Sequence, residues 1–257
     1  MMRFASLGSG SSGNALLVES GRTRILLDCG FGLGETAARL SRLGLEPGNL
    51  DAILVTHEHE DHVGGVARVA RRYEVAVYLT YGTLCMMDGG RGNLPETVLI
   101  DSHSPFAVGD IEVRPYPVPH DAREPAQFVL SDGAVRLGVL TDAGEVTPHM
   151  AQMLSGLDAL MLECNHDREM LMGGPYPPRL KERIGGRLGH LDNGAAADLA
   201  RGIDSSRLQH VVAAHLSQQN NTPELARAAL AAALGCAPDW ITVATQEEGF
   251  SWREILP

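Results

Sequence analysis

The residues most able to do chemistry sit in the stretch 51–65, DAILVTHEHEDHVGG. Ala52, Ile53, Leu54 and Val55 form a short apolar run with strand character. Thr56 breaks it, and His57, His59, Asp61 and His62 follow within six positions, before a helix start at Val63-Gly64-Gly65. Imidazole nitrogen and carboxylate oxygen together suit Zn²⁺, Mn²⁺ or Fe. In an extended loop, positions two apart point the same way, so His57 and His59 can grip one ion. The turn after them lets Asp61 and His62 face a second ion beside it. A solvated, charged loop is the plain alternative, and ligand types clustered behind a buried strand argue against it.

The rest of the chain has to position that loop. Residues 3–7 read as a strand. Gly8-Ser9-Gly10-Ser11-Ser12-Gly13 then matches G-x-G-x-x-G, with Asp28 twenty positions after Gly8. A dinucleotide site needs a helix directly after the glycines, whose N-terminus holds the pyrophosphate. Residues 15–18, a Ser20-Gly21-Arg22 turn and residues 24–27 read instead as strand, turn, strand, so that cofactor is rejected. The loop still exposes N–H and hydroxyl groups that suit a phosphate, or serves as a flexible turn.

Helical spacing covers 34–43, with Ala37, Leu40 and Leu43 on one face. A helix is expected over 63–72 and a strand over 75–80. The glycine- and methionine-rich stretch 81–95 reads as a loop, a flap near the site. Strands follow at 98–100 and 111–116, with Gly109-Asp110 turning between them, and a hairpin at 128–130 and 135–140. A helix at 146–154 and a strand at 158–163 lead to an irregular loop at 170–178. The most basic segment, 179–187, sets Arg179, Lys181, Arg183 and Arg187 against Glu182. It is a helix with a solvated face or a contact for a phosphate backbone. Asn193 is a plausible cap for a helix over 195–203. The strand 208–215 delivers His215 at its end. Thr222, Pro223 and Gly235 bracket a helix at 224–234, and strands at 241–245 and 250–253 close the chain. No repeat or linker divides it, so a single domain over 1–257 is expected.

Of the 257 residues, 44% are hydrophobic and 21% charged, enough to bury a full core. No apolar run is long enough to span a membrane, and no secretory signal opens the chain, so no membrane partner is expected. The four cysteines form no C-x-x-C pair, which fits reduced thiols in a cytoplasm. The net charge of −11 argues mildly against a dedicated nucleic-acid binder. No protein partner is inferable.

His57-x-His59-x-Asp61-His62 resembles the signature of the metallo-β-lactamase fold, a superfamily of metal-dependent hydrolases. The resemblance implies an α/β fold, a four-layer αβ/βα sandwich with metals at the sandwich edge. By chain order it implies His120 as the third ligand of the first metal, Asp142 as a bridging carboxylate and His215 as the last metal position. Further segments resemble the YycJ (WalJ, VicX) family of bacterial proteins: 8–14, Glu163 to Asp167, 176–181, Gly189-His190-Leu191 with Asn193, and His215-Leu216-Ser217 with Asn220-Asn221. Asp192 departs from that pattern, which has Ser there. That family is linked to 5′-to-3′ DNA exonuclease activity.

The resemblance thus implies two divalent metal ions, Zn or Mn with Fe as a further option. His57, His59 and His120 hold one; Asp61, His62 and His215 hold the other, with Asp142 between. Water shared by two cations loses a proton near neutral pH, since one zinc alone lowers its pKa from 15.7 to about 7. The hydroxide would attack phosphorus in line. Asp61 and His190 are the catalytic candidates. His166 and His190 are candidates for phosphate contact or for protonating the leaving oxygen. Ser11, Ser12 and Asn14 suit a terminal phosphate, and Asn193 joins the substrate-binding set. The expected partner is nucleic acid, DNA above all. The alternatives are a small-molecule hydrolase, for a cyclic phosphodiester, thioester or lactone, and a binding module with a closed metal shell.

Overall fold

A computed structural model describes residues 1–87 and 94–257. The chain first lays down β1 (Met2–Gly8), β2 (Ala15–Ser20) and β3 (Thr23–Leu27) as an antiparallel meander. It then adds β4 (Ala52–Leu54), β5 (Ala76–Thr80) and β6 (Thr97–Ile100), each parallel to its predecessor. The second sheet repeats the plan. β7 (Phe106–Val108), β8 (Ile111–Pro117), β9 (Ala126–Ser131) and β10 (Arg136–Leu140) meander. β11 (Ala159–Glu163), β12 (His210–Ala214) and β13 (Thr242–Val243) then run parallel. Last, β14 (Phe250–Ile255) returns to pair antiparallel with β1, the far edge of the first sheet.

Parallel neighbours need crossovers, and these supply the outer layers. The first sheet is covered by α1 (Leu33–Ser41), α2 (Glu60–Val63), α3 (Val66–Tyr73) and α4 (Tyr81–Met86). Beyond the second lie α5 (Pro148–Met153), α8 (Asn193–Gly202) and α9 (Pro223–Leu234), while α6 (Arg168–Gly173) and α7 (Pro178–Ile184) belong to the connection from β11 to α8. Apolar clusters fill the three interfaces. Phe4, Ile25, Leu54, Phe128 and Val139 pack between the sheets. Leu26, Ile53, Val69 and Leu79 pack under the first helical layer, and Leu160, Leu162, Leu199 and Leu230 under the second. The result is the expected four-layer αβ/βα sandwich. Parallel strands buried on both faces read as unbroken apolar runs, as β4 and β11 do. Among the described residues no helix is long and apolar enough to cross a membrane.

Several local expectations are corrected. The stretch 81–95 opens with α4, not a loop, capped by Thr80 whose hydroxyl accepts from the Thr83 N–H; its centre, 88–93, lies outside the described residues. The Gly109-Asp110 turn joins β8 to β7, a three-residue strand too short to show alternation, while β6 belongs to the other sheet. The loop expected at 170–178 is partly α6, capped by Asp167. The single helix expected over 63–72 is broken into α2 and α3 at Gly64-Gly65. There the backbone passes so near Phe31 that a Cβ on Gly65 would lie 1.8 Å from its carbonyl oxygen. Asn193 is not the cap of α8. Asp192 is, accepting from the Ala195 N–H at 2.8 Å; Asp and Asn cap equally well, so spacing alone left a one-residue ambiguity.

Candidate metal centre

The site forms where strand ends of both sheets meet. Thr56, beyond β4, donates its N–H to Asp28 Oδ1 at 2.8 Å, which keeps the chain extended through His57 and His59. The backbone then turns into α2, which carries Asp61 and His62 in one turn. On the second sheet the parallel register aligns Leu140 with Leu162 and Glu163 with Ala214. Asp142, Glu163 and His215 therefore leave their strands at the same edge. His120 arrives beyond β8.

These side chains converge into two groups. His57, His59 and His120 present ring nitrogens within 4.8 Å of one another, with ring centroids 4.6 to 4.9 Å apart. Asp61, His62 and His215 form the second: Asp61 Oδ2 lies 3.3 Å from His215 Nε2 and 3.4 Å from His62 Nε2. Asp142 stands between, its Oδ2 3.2 Å from His62 Nε2 and its Oδ1 3.8 Å from His120 Nε2.

The outer hydrogen bonds decide which nitrogen each ring offers. His120 Nδ1 donates to the Gly189 carbonyl at 3.0 Å, and His62 Nδ1 to Asp28 Oδ2 at 2.8 Å, so both turn Nε2 inward. His59 is reversed: Nε2 donates to the Asp121 carbonyl at 3.2 Å and Nδ1 faces the cluster. His57 Nδ1 donates to Thr56 Oγ1 at 2.9 Å, and that hydroxyl donates to Asp28. Such partners fix ring orientation and raise ligand basicity. Asp28 and His215 both hold left-handed backbones, at φ 60° and 54°. Strain of this kind persists where the surroundings over-determine it.

Do these residues fit divalent cations? Among the described residues His57 Nε2 and Asp142 Oδ2 are buried without a hydrogen-bond partner. Leaving such atoms unmet costs about 1–3 kcal/mol each, and both point into a set of nitrogen and oxygen donors. A cation satisfies them. The electrostatics agree. Burial pushes His62 down, but the Asp142, Asp28 and Asp61 carboxylates outweigh it and hold the ring well above the ordinary imidazole value. Burial likewise opposes, and Asp142, Asp61 and Glu163 then raise, His215 to about 10. Burial pushes the Asp61 and Asp142 carboxyls up, but the neighbouring imidazoles hold both well below the carboxylate range. Burial, then His62, drives His57 well down. The buried carboxylates gather negative charge that suits a cation. The donor set fits.

Two residues of this centre were not singled out from the sequence. Asp28 entered only as a test of the dinucleotide pattern. Glu163 is completely buried; its Oε1 accepts from His190 Nδ1 at 2.8 Å and lies 3.2 Å from His215 Nδ1. Its Oε2 accepts from the N–H groups of Ala143 and Leu191. The available signal was a carboxylate closing an otherwise apolar strand, ALMLE. Glu163, Asp142, His190 and His215 form a further donor group. His190 is partly open, 22% exposed at its side chain, beside the first three histidines.

The remaining candidates divide. Ser11 and Ser12 are exposed, and Ser12 gives its N–H to Gln246 Oε1. Asn14 is buried and its amide is spent within the protein. Oδ1 accepts from Ser9 Oγ and Gly10 N; Nδ2 donates to the Gly10 carbonyl and lies 3.2 Å from Asp61 Oδ2. That geometry positions Asp61 rather than facing a substrate. Asn193 exchanges both amide bonds with Asn221 at 2.9 Å and is likewise turned inward. His166 is buried outside the donor groups, its Nδ1 3.3 Å from Asn165 Oδ1. The basic helix α7 reaches the rim: Arg183 binds Asp121 Oδ2 at 2.6 Å, and the Asp121 carbonyl holds His59.

Comparison with known proteins follows this geometry. The family model described as "Beta-lactamase superfamily domain" matches residues 23–215, from β3 to the last converging histidine. Exodeoxyribonuclease YycJ of Bacillus anthracis is 36% identical over 88% of this chain and 86% of its own length. Exodeoxyribonuclease WalJ of Streptococcus pneumoniae is 34% identical over 87% and 85%. The metallo-beta-lactamase fold protein YhfI of Bacillus subtilis superposes with a TM-score of 0.75 at 16% identity, covering 99% of this chain and all of that one. With its sandwich, its donor-bearing strand ends and relatives matched along most of their length, the chain belongs to the metallo-β-lactamase-fold superfamily, in the group of YycJ and WalJ.

Proposed function

We propose that this protein is a metal-dependent phosphodiesterase acting on DNA, a 5′-to-3′ exodeoxyribonuclease. The observation that carries the reading is the convergence of His57, His59, Asp61, His62, His120, Asp142 and His215 on one pocket in a chain akin to two exodeoxyribonucleases. His57, His59 and His120 would hold one divalent cation; Asp61, His62 and His215 the other; Asp142 would be shared. Zn²⁺ and Mn²⁺ suit the donors, as does Fe. When bound, such ions supply Lewis acidity toward a phosphate oxygen and lower the pKa of a water.

The chain's own residues do the rest. Glu163 takes the Nδ1 proton of His190 in a hydrogen bond and leaves Nε2 free to face an incoming phosphate. From there the imidazolium can contact a phosphoryl oxygen and pass a proton to the leaving oxygen. Asp28 and Asn14 hold His62 and Asp61 in place. Arg183, at the rim on α7, is the cation a strand's phosphates would meet; Arg187 is held by Glu145. Residues 1–257 act as one domain, because β14 closes on β1. The four free cysteines support a reducing, cytoplasmic setting.

The test is digestion of end-labelled linear DNA by protein of verified metal content. Stepwise release of mononucleotides from the 5′ end is expected. Intact DNA and RNA in the presence of bound metal would sink the reading. The net charge of −11 favours a second reading, a small phosphodiester as substrate; turnover of bis-p-nitrophenyl phosphate without DNA binding would select it.

A further inference from the structure

Beside the metal centre lies a cavity of about 630 Å³ that none of the donor groups uses. That is within the usual size of a small-ligand pocket. It shares a wall with the centre. Gly185 and Gly186 line the cavity, and the same turn continues to Gly189, whose carbonyl holds His120, and to His190. His166, three residues beyond Glu163, also lines it.

The chemistry of His166 can be read from its neighbours. Asn165 donates from Nδ2 to the His215 carbonyl at 3.0 Å, so its amide oxygen must face the other way. That oxygen accepts only, hence His166 Nδ1 at 3.3 Å is the donor. In the neutral ring Nε2 is then a bare acceptor. Among the described residues no hydrogen bond reaches it. It points at the cavity, since a Cβ on Gly185 would stand 3.9 Å from it. The residue is 2% exposed, so what access this nitrogen has is through the cavity. Around it the lining is apolar at Leu171, Met172 and Pro178, with carboxylates at Glu182 and Asp192 and the guanidinium of Arg168. Lys181 spends its ammonium on the Met172 carbonyl.

At its own position this bare acceptor disfavours a phosphate oxygen and suits an N–H donor, and the apolar walls suit a planar ring. We propose that this cavity receives the base of the nucleotide next to the scissile phosphate, with a base N–H donating to His166 Nε2. This rests on the nuclease reading and narrows it. The Watson–Crick edge of each base carries an N–H donor, so the pocket tolerates any sequence. A base inserted into the cavity has left its stack and its partner, so the strand entering the site is locally single-stranded. His166 is thus a base contact, not the phosphate contact expected from the sequence.

Two measurements on the metal-loaded protein test this. The first is binding of deoxyadenosine monophosphate against deoxyribose 5-phosphate, with the His166 Nε2 resonance followed by nitrogen NMR. The nucleotide should bind about tenfold more tightly, the worth of one hydrogen bond near 1.4 kcal/mol, and should shift Nε2. His166→Ala should erase the difference. Gly185→Leu is the second variant. Gly185 has an ordinary backbone, φ −86°, and room for a Cβ, so its folding is unaffected while the side chain fills the cavity; it too should abolish the preference. The second measurement is cleavage of oligonucleotides with an abasic terminal nucleotide, expected to show KM raised about tenfold. Equal binding of the two probes, or an unmoved Nε2 signal, overturns the pocket. DNA cleavage indifferent to the missing base overturns it as well. Base-dependent binding with no cleavage of any DNA upholds the pocket and sinks the nuclease reading instead.

Discussion

The two sides of the metal centre are built by different means. On the first-sheet side a single loop after β4 carries His57, His59, Asp61 and His62. On the second-sheet side His120, Asp142 and His215 arrive singly, beyond β8, β10 and β12. The loop sets four donors along one extended-then-helical path. The other side needs the register of several strands to agree. The bracing differs in the same sense. Asp28 supports His62 and, through Thr56, His57, all within the loop's immediate neighbourhood. Glu163 ties together His190, His215 and the backbone at Ala143 and Leu191, which come from three separate segments. Local geometry is secured by one loop; long-range geometry is secured by a buried carboxylate that several elements share.

The bluntest way to break the comparison is to remove the group both sides share. Asp142→Asn should reduce DNA hydrolysis to background and lower bound metal per chain, read by elemental analysis beside the digestion assay. Wild-type metal content with full activity would remove Asp142 from the centre. Bracing comes next. Glu163→Gln and Asp28→Asn should each cost roughly 10- to 100-fold in activity or metal affinity, with Glu163→Gln the larger because it releases groups from three segments at once. A larger loss from Asp28→Asn in metal titrations would reverse the proposed division of labour. Arg183→Ala, at the rim of the second-sheet side, should weaken DNA binding for all sequences and reduce the salt slope by about one. Binding measured across a salt series checks this, and an unchanged slope would detach α7 from the DNA path. The smallest effect is expected far from the centre. Thr222→Ala removes the cap of α9, whose hydroxyl accepts from the Leu225 N–H. It should lower stability by about 1 kcal/mol in thermal unfolding and leave activity unchanged.

The same difference explains what could be read in advance. The hairpin of β2 and β3, the apolar run of β4 and the bracketed α9 all carry local signals, and the structure places them where the residues said. Short elements did not. β7, α4 and α6 span three to six residues, less than the patterns need to show a period. The break between α2 and α3 depends on how closely Gly65 passes the Phe31 carbonyl, a contact across the fold. Asn14 and Asn193 suit substrate contact by residue type, and only their partners, Asp61 and Asn221, show that they face inward.

The sequence by itself determined the chemistry: histidines and an aspartate spaced for metal binding, set behind a buried strand, because ligand type and local path are both written in adjacent residues. Tertiary structure decided the rest. It chose which nitrogen each ring offers, brought Asp28 and Glu163 to the histidines, and opened a cavity beside them with His166 at its wall. Those outcomes depend on which strand ends share an edge and which buried polar atoms find partners, and strand register and packing set both across distances the local sequence does not encode.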